Sequence, residues 1–167
     1  MKLIMLAGRS RRNIDWLMQV EQAIQYLFED TEIQRYSHWD ATDKKMDDDA
    51  ELSKLISSVS ETKDYAIFAK SAGTKLALRA IQSGISPKKC VFVGTSDRPD
   101  LLEEYSVPTL FIQQIQDRIN TSANLKEILE ATGARNFVLK EVAGSNHHYS
   151  DIVELKDIIA DYLGVHD

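Results

Sequence analysis

Apolar runs of strand length alternate along the chain with stretches whose apolar residues return every three or four positions. Lys2 to Leu6 predicts a buried first strand ending at Ala7-Gly8. Beyond it Asn13 is placed to cap a helix carrying Ile14, Leu17, Met18, Ile24, Leu27 and Phe28 at helical spacing. Residues 33–39, interrupted by polar positions, predict a second strand. Asp47, Asp48 and Asp49 precede Leu52, Leu55, Ile56 and Val59, and acidic residues at a helix start complement its dipole. That cap outweighs a metal site, which no nearby histidine or further carboxylate cluster supports. A third apolar run, Tyr65 to Ala69, breaks at Lys70-Ser71-Ala72-Gly73 and resumes at helical spacing with Leu76, Ala77, Ala80 and Ile81, as far as Gly84. Strands over 90–94 and 109–113 follow, then a helix through Leu125, Ile128 and Leu129 closed by Gly133. A last strand over 136–142 and a helix capped by Ser150 and bearing Ile152, Leu155, Ile158, Ile159 and Leu163 complete the pattern.

Strands alternating with helices imply right-handed crossovers and a mostly parallel sheet covered on both faces. The expected class is α/β, a three-layer α/β/α sandwich with about six strands, formed by residues 1–167 as one domain. At 28% charged and 43% hydrophobic the composition is that of a folded globular chain. No apolar run reaches transmembrane length, which argues against a membrane partner. The N-terminal apolar run is followed by Arg9, Arg11 and Arg12 instead of a cleavage site, so it reads as a strand and not a signal peptide. Cys90, the single cysteine, cannot close an internal disulfide and reads as a buried thiol in a reducing compartment, so the cytoplasm is the expected location. A net charge of −6 argues against nucleic acid as a partner.

The chemistry concentrates at the carboxyl ends of the predicted strands, where ligands bind in such sheets. Ser71 stands at the tip of a strand–turn–helix, with small residues, Ala69 and Gly73, two positions on either side. This approximates G-x-S-x-G as A-K-S-A-G; the next backbone N–H opens a helix, where it can stabilise an oxyanion. Taken alone the pentapeptide also suits a serine in an ordinary βα turn or at a helix N-cap. Downstream, Asp117 follows the fifth strand, and Gly144-Ser145-Asn146-His147-His148-Tyr149 follows the sixth. The order serine, acid, histidine is that of the α/β-hydrolase triad. A hydroxyl is a poor nucleophile until an imidazole takes its proton, and the carboxylate fixes the imidazole tautomer. Asp97 and Asp100, after the fourth strand, are alternative acids. His38 and His166 have no partner in this pattern and read as a strand-end polar residue and a tail residue.

The sequence resembles the small, single-domain serine hydrolases of the α/β-hydrolase superfamily over essentially its whole length. The residues carrying the resemblance are Ala7-Gly8 with Trp16 in the next helix, the elbow Ala69-Lys70-Ser71-Ala72-Gly73, the strand leading to Asp117, and Gly144-Ser145-Asn146-His147. The resemblance implies a minimal, lidless α/β-hydrolase fold with Ser71, Asp117 and His147 catalytic. It implies an oxyanion hole from the backbone N–H groups of Ala72 and of Arg9 or a neighbour in the first loop. It favours His147 over His148 as the base and leaves His148, Lys70 and Gly8 at the rim. Alanine replaces the first elbow glycine, and Ala7 stands where a histidine often precedes the oxyanion glycine.

The expected function is hydrolysis of an ester, thioester or related acyl bond of a small molecule, with no metal or organic cofactor. Two other classes are weighed against it. One is a non-catalytic binding module on the same fold. The other is a flavodoxin-type phosphate or nucleotide binder using residues 8–13, where AGRSRRN lacks both glycine-rich fingerprints. Arg9, Arg11 and Arg12 read as a solvated loop; with Lys70 they also place positive charge at the mouth of an acidic protein, which favours an anionic substrate.

Overall fold

The apolar runs pair edge to edge. β1 (Lys2–Leu6), β2 (Asp30–Ile33), β3 (Tyr65–Lys70), β4 (Lys89–Val93), β5 (Thr109–Gln114) and β6 (Phe137–Val142) form one sheet in the order β2-β1-β3-β4-β5-β6. Every neighbouring pair is parallel. The coordinates are a computed structural model that describes residues 1–41 and 45–164; His166 lies outside the described residues. Among the described residues, five α-helices connect and flank the strands: α1 (Asn13–Ile24), α2 (Asp48–Val59), α3 (Ala72–Gln82), α4 (Ser122–Ala131) and α5 (Ile152–Leu163). With right-handed crossovers the outward step from β1 to β2 puts α1 on one face, and the opposite steps put α2, α3 and α4 on the other. Accordingly α1 packs on α5 and α2 on α3. The result is the expected three-layer sandwich, with a sheet that is parallel throughout.

Burial follows position in the sheet. β3 and β5 are buried at every residue, whereas the edge strands β2 and β6 alternate. The core is centred on Phe68, Phe92, Phe111, Ile67 and Leu6, with Leu17, Leu55, Leu76, Leu129 and Ile159 inserted from the helices. Cys90 is fully buried, and burial pushes its thiol up to about 12, so it is an unreactive packing residue.

Four local expectations are corrected. The second strand lies over Asp30–Ile33, earlier than residues 33–39, because Tyr36 and Trp39 turn inward in place of pairing. Tyr36 is fully buried and donates its hydroxyl to the Ala7 carbonyl, and residues 37–40 form a 3-10 turn that buries Trp39. Asn13 is the first residue of α1 and not its cap: its Nδ2 donates back to the Ser10 carbonyl. Of the expected apolar stripe, Met18 is exposed and Phe28 lies beyond the helix, while Val20 is buried. The start of α5 is capped by Asp151, whose Oδ1 accepts from Glu154 N, where Ser150 is the sequence expectation. The Asp47 cap stands as expected: its carboxylate accepts from Asp49 N and Ala50 N. Asp48 pairs with Lys75, and Asp49 with Arg79.

Candidate active site

The strand order reverses at β1: the chain leaves it toward β2 and returns to β3 on its other side, so the loops after β1 and β3 bound a crevice at the switch point. Ser71 sits there between β3 and α3 with φ 53° and ψ −117°, a backbone conformation rare outside glycine. Its N–H is held by the Val93 carbonyl at 3.0 Å, and its carbonyl accepts from Thr74 N and Thr74 Oγ1. Gly73 makes the turn possible, because a Cβ there would lie 2.7 Å from the Leu6 and Ala7 carbonyl oxygens. The helix therefore seats directly on β1.

Loops from β5 and β6 bring two further side chains to the serine. His147 Nε2 lies 2.9 Å from Ser71 Oγ, and its Nδ1 lies 2.7 and 2.9 Å from the two Asp117 carboxylate oxygens. Asp117 also accepts from the N–H of Ile119 (2.8 Å) and the hydroxyl of Tyr149 (2.7 Å). Burial alone pushes the Asp117 carboxyl up, but the donors from Tyr149, Ile119 and His147 outweigh it and hold it below its ordinary value. For His147, burial pushes the imidazole below its ordinary value, against the pull of Asp117. The charges of Lys70 and Arg118 push the same way as burial, so the ring is neutral at pH 7. A neutral imidazole with its Nδ1–H on a carboxylate presents a free Nε2 lone pair to the serine hydroxyl.

The histidine is held from several directions. Its N–H donates to Gln114 Oε1 at 2.9 Å, while Tyr149 OH, besides donating to Asp117, accepts from Gln114 N at 2.9 Å. His147 and Tyr149 both have positive φ, 64° and 54°. Gly94, at the end of β4, clears room for both rings: a Cβ there would meet His147 Cε1 at 2.8 Å and Tyr149 Cε2 at 2.9 Å. Tyr149 in turn gives its carbonyl to Trp16 Nε1 at 2.8 Å.

The remaining predicted residues fall as follows. His148 is exposed, and its backbone N–H, not its ring, is bonded, to Asn146 Oδ1. Asp100 is engaged by Arg98 and Asp97 is exposed; neither bonds to His147. Ala72 opens α3, where its N–H has no intrahelical acceptor. Arg9 is fixed through its carbonyl, which accepts from His38 Nε2 (2.7 Å) and Trp39 Nε1 (3.0 Å). His38 thus orients the loop after β1, a role with no signal in the sequence. Gly8 lies tight against Asn13, and Lys70 is buried between Asn13 and the Trp16 ring. The connection from β4 to β5 contains one 3-10 turn, over Pro99–Leu101. Sequence reasoning also missed Tyr149 and Gln114, whose importance depends on loop conformations that no residue type announces.

A parallel sheet of this order, with a strained serine on the β3–α3 turn and helices on both faces, is the α/β-hydrolase fold. No family model matches the sequence, and neither does any curated protein. Solved structures do resemble it. An esterase from Pyrococcus furiosus superposes with a TM-score of 0.79 at 13% identity, over 98% of this chain and 80% of its own. Est1E from Butyrivibrio proteoclasticus, solved with ferulic acid bound, gives 0.77 at 10% identity, over 97% and 87%. An esterase from Exiguobacterium antarcticum gives 0.72 at 10%, over 98% and 91%.

Proposed function

We propose that this chain is a serine hydrolase that cleaves an ester, thioester or related acyl bond of a small molecule. The observation carrying the reading is the unbroken line of hydrogen bonds from Ser71 Oγ through the two nitrogens of His147 to Asp117. In this reading His147 Nε2 takes the hydroxyl proton as Ser71 Oγ attacks the acyl carbon. The tetrahedral oxyanion is held by the N–H groups of Ala72 and Arg9, and its collapse breaks the bond to the leaving group, which receives the proton from His147. Water, deprotonated by the same nitrogen, then hydrolyses the acyl-Ser71 ester and restores the hydroxyl. Asp117 keeps the Nδ1–H tautomer and stabilises the imidazolium formed in each half. The likeness to named esterases supports an ester as the first substrate to try.

The test is intact-mass labelling with a fluorophosphonate, which needs an activated serine. Stoichiometric labelling that maps to the Ser71 peptide and vanishes in Ser71→Ala is expected. A folded protein that takes no label would instead be a binding module on this fold.

A further inference from the structure

Among the described residues, Lys70 is the one buried cation of the site without a counterion. The residue ends β3 beside Ser71 and is only 4% exposed. Among the described residues its ammonium has one acceptor, Asn13 Oδ1, at a long 3.4 Å, and it stands 5.2 Å from the centroid of the Trp16 ring. An ammonium has three donors, so two of them face no acceptor among the described residues. The buried carboxylates are treated differently. Asp117 has donors from His147, Tyr149 and Ile119, and Glu51 is bonded by Gln34 and Ser37. Packing does not require a charge here, since an apolar side chain of similar length would fill the space without desolvating one. Burial pushes the ammonium down to about 8, with Asp117 pulling up and Arg118 pushing down, so it still carries its proton at neutral pH.

The side chains that touch this ammonium belong to, or hold, the two loops on either side of the serine. Asn13 packs on Gly8, in the loop that leads to Arg9, and Trp16 holds the Tyr149 carbonyl next to His147. The ammonium therefore lies between the two loops that wall the serine, close enough for His147 to feel it. Arg118 adds an exposed positive charge from the Asp117 loop. The nearby carboxylates are engaged elsewhere, Asp117 with His147 and Asp48 with Lys75 and Arg9. In a chain of net charge −6 the crevice is locally cationic.

We propose that Lys70 is an anion-binding subsite that anchors a free carboxylate of the substrate, so that the preferred substrates are short half-esters or half-thioesters of dicarboxylic acids. The proposal rests on the hydrolase reading and adds the substrate class to it. Its ammonium supplies the two unused N–H donors to the carboxylate, and the low-polarity surroundings strengthen that pair.

The test compares p-nitrophenyl butyrate with mono-p-nitrophenyl succinate, which differ mainly in the terminal carboxylate. In the wild-type protein the ratio of kcat/KM, succinate over butyrate, should be about tenfold or more, and Lys70→Met should bring it to about one, as expected for losing a hydrogen bond to a charged group. A wild-type ratio near one, or a ratio unchanged in Lys70→Met, overturns the proposal; Lys70→Gln gives the same reading should Lys70→Met not fold. If neither ester is turned over, the hydrolase reading fails and binding decides the subsite separately. Calorimetry on Ser71→Ala should then show monomethyl succinate binding about tenfold more tightly than methyl butyrate. That difference should be absent in Ser71→Ala/Lys70→Met; equal binding of both ligands to Ser71→Ala overturns the subsite.

Discussion

Replacing Tyr149 with phenylalanine tests whether the acid is held by its neighbours or merely sits beside the base. The substitution removes one oxygen and leaves the ring, which is 96% buried, in place. Two hydrogen bonds go with it: the donor to Asp117 Oδ2 at 2.7 Å and the acceptor of Gln114 N–H at 2.9 Å. The first is a bond to a charged group, and the second leaves a buried N–H with no partner. Together they predict a loss of about 2–4 kcal/mol, partly offset by the phenol no longer needing desolvation. For a chain of this length that lowers the melting temperature by roughly 5–15 °C. Activity should fall less than stability, roughly tenfold in kcat at most, because His147 and Asp117 remain in contact. Without the Tyr149 donor the Asp117 carboxyl should rise toward its ordinary value. The stability this carboxylate contributes above its unfolded pKa should then be smaller, and its loss should be complete at a higher pH as acid is added. The assays are thermal unfolding across pH 3–7 and ester turnover on the folded variant, with ranges set by carboxylate titration. A melting temperature and acid midpoint equal to those of the wild type would show that the hydroxyl contributes nothing, and the account of how Asp117 is held would fail.

Three other outcomes follow from the same geometry. His147→Ala should lose on the order of 10⁴ or more in kcat, whereas His148→Ala should keep most of its rate; single-substrate kinetics on both folded variants decides, and the reverse result transfers the base to His148. The acid limb of kcat/KM should have its midpoint below 6.5, because burial, Lys70 and Arg118 all disfavour the imidazolium and only the neutral ring is active. Lys70→Met should move that midpoint upward, and a pH–rate profile that moves down or stays fixed contradicts the assignment. Gly94→Ala adds a Cβ within 2.9 Å of two rings at a φ of 63°, so the His147 ring must shift. A drop in kcat/KM of roughly tenfold or more is expected, and wild-type rates would mean the ring has space to spare.

The sheet was readable because its buried strands are apolar runs bounded by turns, and β3, buried at every residue, is an unbroken example. The candidates Ser71, His147 and Asp117, which are linked by hydrogen bonds in that order, could be picked out for the same reason, since each follows a strand. What stayed hidden depends on partners distant in sequence. Nothing near Tyr36 or Trp39 says that they will abandon a strand to hold the Ala7 and Arg9 carbonyls. Tyr149 looks like an ordinary residue before a helix until its positive φ swings the hydroxyl onto Asp117, thirty-two positions back. The caps at Asn13 and Ser150 were misplaced by one residue each, because a polar side chain marks a helix start without saying which turn it closes.

The bond from Trp16 to the Tyr149 carbonyl spans 133 positions and, with the packing of α1 on α5, ties the first helix to the loop that carries His147. During synthesis, the elbow and its serine leave the ribosome long before the loop that carries His147. A nascent chain halted before that loop has a hydroxyl but no His147 to take its proton, and its first helix packs on the sheet without α5 beside it. On the proposed hydrolase reading, labelling of Ser71 by a fluorophosphonate therefore reports that synthesis has passed His147: chains stalled at Val142 should take no label, and chains extended through α5 should take it.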